Sequence, residues 1–145
     1  MSDHDLYTRA TCSALVITCS DFRFKRAERL FIEATGLADD YDLIARPGAA
    51  RSLVAPRNDA ARASMEDEIR MLYDAHGFTR VLMLHHLSCR AYDDLAVAEG
   101  QRAVHAAHLR AASAVLAQRL PGVAPEPYLV ALFDGVLRVD PVFGA

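Results

Sequence analysis

Cys19, Asp21 and Arg23 lie in the run Val16-Ile17-Thr18-Cys19-Ser20-Asp21-Phe22-Arg23, and His86-Leu87-Ser88-Cys89 follows a second apolar run. Two thiolates and one imidazole are three ligands for a tetrahedral zinc, leaving a fourth position for water or substrate. A closed structural site normally uses four protein ligands. The charged pair beside this set therefore points to chemistry rather than scaffolding. Two thiolates neutralise the metal's formal charge and temper its Lewis acidity, yet the metal still lowers the pKa of bound water far below that of bulk water. The hydroxide so formed would attack a small electrophile such as CO2. Asp21 and Arg23 are two residues apart and point the same way in an extended segment. The guanidinium keeps the carboxylate ionised. Asp21 can then orient the zinc-bound water, or swing onto the zinc and occupy the fourth position.

The elements that must position these residues are legible from hydrophobic patterning. Ala14–Thr18 is a continuous apolar and β-branched run, as expected of a buried parallel strand. Lys25–Thr35 has helical spacing in Ala27, Leu30, Phe31 and Ala34, with Gly36 as the stop. Tyr41–Ala45 reads as the second strand, and Arg46-Pro47-Gly48 breaks it. Residues 46–58 read as a loop or an irregular helix start. Ser64–His76 predicts an amphipathic helix with Met65, Ile69, Leu72 and Tyr73 on one face and Gly77 as its end. Val81–His85 reads as the third strand, Leu95–Leu120 as an Ala-rich helix weakened at Gly100, and Tyr128–Phe133 as the fourth strand. Asp134-Gly135 signals a hairpin into Val136–Val139. The order βαβαβαββ predicts a three-layer α/β domain: four parallel strands, a C-terminal antiparallel edge strand, and helices packed on the sheet. In such sheets sites form beyond the carboxyl ends of the strands, where the strand order reverses. Cys19, His86 and Cys89 converge there if the first and third strands are neighbours.

Composition bounds the function classes. The chain of 145 residues is the size of one domain, and a hydrophobic content of 52% supports a real core. A net charge of −3 with no long run of one sign gives no electrostatic footprint for nucleic acid. No apolar stretch is long enough for a transmembrane helix, and the acidic start Met1-Ser2-Asp3-His4-Asp5 is unlike a signal peptide. A cytoplasmic protein is expected, and three cysteines there do not suggest a disulfide framework.

The motifs resemble those of the β-class carbonic anhydrases. The family's C-x-D-x-R after strand one and H-x-x-C after strand three are matched by Cys19-Ser20-Asp21-Phe22-Arg23 and His86-Leu87-Ser88-Cys89. Arg46-Pro47-Gly48-Ala49-Ala50 is an imperfect likeness of the family's R-x-A-G loop, and the order of elements agrees over roughly residues 13–140. The resemblance implies zinc on Cys19, His86 and Cys89, an Asp21–Arg23 dyad, and reversible hydration of CO2 to bicarbonate with release of a proton. It also implies a homodimer or higher homo-oligomer. The alternatives are a hydrolase of a CO2 analogue, carbonyl sulfide or carbon disulfide, and a non-catalytic zinc-binding protein of the same fold. The sequence departs from the family at His85 and Arg90, where glycines usually flank H-x-x-C, at Phe22 and at Pro47. It also has only about twelve residues before the first strand, in place of a long helical arm.

Other chemically capable residues have plainer readings. Cys12 reads as a spare thiol at the start of strand one. His85 reads as a packing or supporting residue, with proton shuttling as its rival. His105 and His108 read as helix-face residues, Arg46, Arg51 and Arg57 as scattered surface arginines, and Arg90 as a solvated cation or an attractor of bicarbonate.

Overall fold

The computed structural model describes residues 1–95 and 101–142. Strand β1 (Ala14–Thr18) is buried along its whole length, and β3 (Arg80–His86) is buried from Val81 onward, as their unbroken apolar runs require. The two pair in parallel with Ala14 opposite Arg80 and Thr18 opposite Leu84. Strand β2 (Tyr41–Ala45) lies parallel on the other side of β1, and β4 (Ala124–Phe133) lies parallel to β3. Strand β5 (Val136–Pro141) returns antiparallel on β4, which gives the order β2-β1-β3-β4-β5. The turn between β4 and β5 has positive φ at Asp134 (50°) and Gly135 (77°), the pairing that a two-residue hairpin requires. The expected α/β sheet of four parallel strands and one antiparallel edge strand is the one observed.

Helices cover both faces. Beneath one face pack α3 (Arg51–Val54), α4 (Asp59–His76) and α5 (Gln101–Arg119), with Leu15, Ile17, Met65, Ile69, Phe78 and Leu109 in the core. Against the other face packs α2 (Lys25–Ala34), where Ile32 meets Val16, Leu82 and Leu84. A five-residue helix α1 (Asp3–Tyr7), closed by a Ser2–Asp5 capping box, precedes the sheet.

Several boundaries differ from expectation for identifiable reasons. Helix α4 starts at Asp59 rather than Ser64, because the Asn58 side chain caps it by accepting from Ala61 N at 2.9 Å while the first turn is exposed and carries no apolar stripe. Strand β4 starts at Ala124 rather than Tyr128. Its Pro125 and Pro127 precede the residues that pair with β5, so no ladder donor is needed from them. Within α2 the inward residues are Glu28 and Ile32, whereas Leu30 is half exposed. The helix expected over Leu95–Leu120 is described over Gln101–Arg119, and Gly100 lies outside the described residues.

Candidate metal centre

Strand β1 feeds β2 on one side of itself, and the chain then crosses back to place β3 on the other. The strand order reverses between β1 and β3, which leaves a crevice at their carboxyl ends. Cys19 immediately follows β1, His86 is the last residue of β3, and Cys89 follows a turn whose Ser88 sits at φ 59°. All three are buried, and their ligand atoms lie within 4.8 Å of one another. The sulfurs of Cys19 and Cys89 are 4.0 Å apart. Two sulfurs on a tetrahedral zinc at about 2.3 Å stand about 3.8 Å apart.

The imidazole is set for the same purpose. His86 Nδ1 donates to Leu87 O at 2.8 Å, which leaves the Nε2 lone pair facing the sulfurs. That Nε2 is buried without a hydrogen-bond partner among the described residues. Phe24, at the end of a short 3-10 turn (Phe22–Phe24), stacks on the His86 ring at 4.0 Å and holds its orientation. An unpartnered buried nitrogen aimed at two sulfurs is a costly arrangement in an apolar interior. A soft divalent cation resolves it, so the residues present fit zinc.

The two thiols titrate as a pair. The hydrogen bond from Cys89 stabilises the Cys19 thiolate, with further help from His86 and from the backbone at Gly48, and pushes its pKa down. Cys89 is pushed up, by that same Cys19 thiolate and then by burial. Burial opposes charging of His86, but the Cys19 thiolate and the Leu87 carbonyl outweigh it and raise its pKa.

Asp21 and Arg23 form a rigid unit at the rim. Arg23 Nη2 donates to Asp21 Oδ2 at 2.7 Å, Arg23 Nε is 3.1 Å from both carboxylate oxygens, and Arg23 N donates to Oδ1 at 2.9 Å. Hydrogen bonding from Arg23 holds the Asp21 carboxyl down to about 2. Asp21 Oδ2 lies 3.9 Å from His86 Nε2, beside the cluster. Arg23 Nη2 also donates to Ser88 O at 3.1 Å, so the pair ties the loop after β1 to the loop after β3. The cleft above them encloses about 630 Å³, with Phe22, Pro47 and Arg90 at its walls.

Several supporting residues carried no signal in the sequence. Arg51, which its sequence context places among scattered surface arginines, is buried instead, donating from Nε to Ala55 O at 2.9 Å, from Nη1 to Ala91 O, and bidentately to Asp94 at 2.7 and 2.8 Å. It anchors the turn that follows Cys89. Arg46 is also engaged, with Ser64 and with Glu68 at 2.6 Å, and only Arg57 of the three lies open on the surface. Gln101 accepts from Cys89 N at 3.0 Å. Gly48 has φ 81°, and a Cβ there would stand 3.3 Å from Ala91 Cβ. Buried Glu28 joins Thr18 at 2.8 Å and Lys25 at 2.6 Å, and Lys25 reaches Cys19 O, which pins the end of β1 to α2.

His85 does not crowd the cleft. Successive strand residues face opposite ways, so His85 points to the α5 side, where its Nε2 accepts from Ala50 N at 3.2 Å. Its Nδ1 therefore carries the proton and donates to His105 Nδ1 at 3.0 Å. Tyr92 OH and His108 Nδ1 are hydrogen-bonded at 2.9 Å. His105 and His108 thus look inward into a buried polar network rather than outward from the helix. Burial presses the His85 pKa down strongly and that of His105 down to about 4.

Residues 9–133 match the family model described as "Putative carbonic anhydrase". Two relatives, uncharacterized proteins of Rickettsia conorii and Rickettsia bellii, are each 29% identical over 144 residues, 95% of this chain and 77% and 87% of theirs. Among solved structures, a tetrameric β-carbonic anhydrase of the filamentous ascomycete Sordaria macrospora aligns with a TM-score of 0.57 and 15% identity, over 96% of this chain and 84% of that one. The β-carbonic anhydrase of Aspergillus fumigatus aligns at 0.51 and 16% identity, over 98% and 81%. At these identities the likeness speaks to the fold.

Proposed function

The chain belongs to the "Putative carbonic anhydrase" family, and from that premise we propose that it hydrates CO2 reversibly to bicarbonate. Cys19, His86 and Cys89 hold a zinc ion, and Asp21 and Arg23 order the reaction beside it. The observation that carries this reading is the buried, unpartnered His86 Nε2 converging with two sulfurs at the strand reversal. Zinc bound there supplies the Lewis acidity that makes a coordinated water reactive near neutral pH.

The chain's own residues do the rest. Asp21, ionised throughout the working pH range, accepts a hydrogen bond from the attacking water and aims its lone pair at the substrate carbon. Arg23 holds both carboxylate oxygens, which keeps Asp21 off the metal position and its charge fixed. Phe24 and the Leu87 carbonyl prevent His86 from rotating away. Phe22, Pro47 and Ala91 give the cleft apolar walls suited to a small neutral substrate, and exposed Arg90 attracts the bicarbonate anion at the mouth. The proton leaves through the open cleft to buffer, because His85 faces the opposite side of the sheet.

We further read the protein as a homo-oligomer. Leu30, Leu132, Phe133 and Val136 are large, apolar and half or more exposed, which suits burial against a second copy. No helix among the described residues is long and apolar enough to cross a membrane. A reducing cytoplasm would keep Cys19 and Cys89 as the thiols this chemistry needs.

The test is stopped-flow CO2 hydration by the zinc-loaded protein, scanned from about pH 6.5 to 9, which brackets the lowered pKa of a zinc-coordinated water. Turnover that rises with pH supports the reading. Absent turnover with zinc bound refutes it and directs the same assay to carbonyl sulfide and carbon disulfide.

A further inference from the structure

At the opposite end of the sheet, where the strands begin, a second donor set comes together from three distant segments. Cys12 lies in the approach to β1, Asp42 is the second residue of β2, and His76 is the last residue of α4. Their ligand atoms lie within 4.8 Å of one another. His76 Nδ1 meets Asp42 Oδ2 at 2.7 Å, and Cys12 N donates to His76 O at 3.3 Å, which binds the cysteine's backbone to the end of the helix. Together they line a cleft of about 200 Å³.

We propose that Cys12, Asp42 and His76 form a second zinc site, separate from the cluster at the strand reversal. One sulfur, one nitrogen and one carboxylate oxygen are a borderline donor set that suits zinc, with a fourth position left to water from the open cleft. The charges balance: thiolate and carboxylate together match the divalent ion. The carbonyl end of the 18-residue helix α4 adds a favourable potential for a cation. Arg9, which also lines the cleft, is held by Asp40 Oδ1 at 2.6 Å and Asp39 O at 3.2 Å rather than by Asp42. Binding replaces the Cys12 S–H bond with a sulfur–zinc bond and releases that proton to solvent. It also replaces the Asp42–His76 hydrogen bond with two coordinate bonds: the proton on His76 Nδ1 passes through solvent to Nε2, which leaves Nδ1 free to coordinate, and the pair parts by about 0.6 to 0.7 Å for tetrahedral ligands. The site ties β1, β2 and α4 together at the end of the sheet remote from the proposed catalytic cleft, so its role is to fasten the fold rather than to turn over substrate.

The test counts zinc on the full chain after equilibration with excess metal and removal of the unbound ion, for the wild type, Cys12→Ala and Cys89→Ala. The expected result is one equivalent fewer in Cys12→Ala than in the wild type, independent of the loss at the other cluster in Cys89→Ala. A second readout is iodoacetamide alkylation of Cys12, followed peptide by peptide. Cys12 is half-buried whereas Cys19 and Cys89 are buried, so it reports separately. Free zinc at ten times its Kd should slow its alkylation about tenfold, and His76→Ala should abolish that protection. Equal zinc counts in wild type and Cys12→Ala, with alkylation of Cys12 indifferent to zinc, would overturn the proposal. Those results leave the first cluster untouched, just as retention of all zinc by Cys89→Ala would sink the first cluster alone.

Discussion

Replacing Arg51 with Met tests whether the buried guanidinium sustains the turn that carries Cys89. The side chain is 7% exposed and donates to Ala55 O, Ala91 O and both oxygens of Asp94, with its cation 5.3 Å from the Tyr92 ring centre. Met preserves most of the volume, so the loss is mainly polar. Two carbonyl acceptors lose charge-assisted bonds worth about 1.5 kcal/mol each, and the ring contact contributes about 0.5 kcal/mol. The Asp94 carboxylate is half exposed, recovers its solvation in water and adds little. The sum is a destabilisation of about 3 to 4 kcal/mol, or a melting temperature lower by roughly 10 °C for a domain of this size. Urea denaturation of the zinc-loaded variant reads this directly. Loosening of the Arg90–Tyr92 turn should also weaken zinc binding by about tenfold or more, measured by competition with a chelator. Arg51→Lys should recover little, since an ammonium cannot reach three acceptors in one plane. Stability within about 0.5 kcal/mol of wild type, the range of ordinary surface substitutions, would refute the reasoning.

Asp21→Asn should retain zinc while kcat falls about 100-fold or more, the range for losing a positioned proton acceptor; an unchanged rate removes Asp21 from the mechanism. Gly48→Ala should cost at least about 1 kcal/mol because φ 81° is disfavoured for alanine and the new methyl meets Ala91 at 3.3 Å, and equal urea midpoints would contradict it. His105, ordinarily near 6.5 and held to about 4 by burial, binds its proton more readily in the unfolded chain. Its contribution is therefore complete above pH 6.5 and declines as pH falls towards 4, by up to about 3 kcal/mol. Urea midpoints at pH 7.5 and 4.5 should converge in His105→Leu relative to wild type, and an unaltered pH slope would discount the buried histidine.

Local chemistry was legible in the sequence wherever it follows from neighbours along the chain. Ala14–Thr18 reads as a strand because a β-branched, apolar run of that length has few other uses, and Tyr41–Ala45 because a short apolar stretch is cut off by Arg46-Pro47-Gly48. Asp134-Gly135 announces its hairpin because only residues tolerant of positive φ close so tight a turn. The C-x-D-x-R and H-x-x-C spacings could be read as one ligand set because each follows the end of a predicted strand. The adjacency of the two strands follows only from the folded order β2-β1-β3.

What only the tertiary structure decided concerns residues whose partners are remote in sequence. Arg51 looks like any loop arginine until Ala91 and Asp94, some forty residues on, fold over it. The alternation of β3 sends His86 to the sulfurs and His85 to His105 and Tyr92, two environments for adjacent imidazoles. Cys12, Asp42 and His76 have no common motif and meet only because α4 ends where β1 and β2 begin. Pattern along the chain sets which face each residue can occupy. Desolvation, charge and metal affinity depend on what the folded chain brings to that face, and a carboxylate thirty residues away leaves no mark on the local sequence.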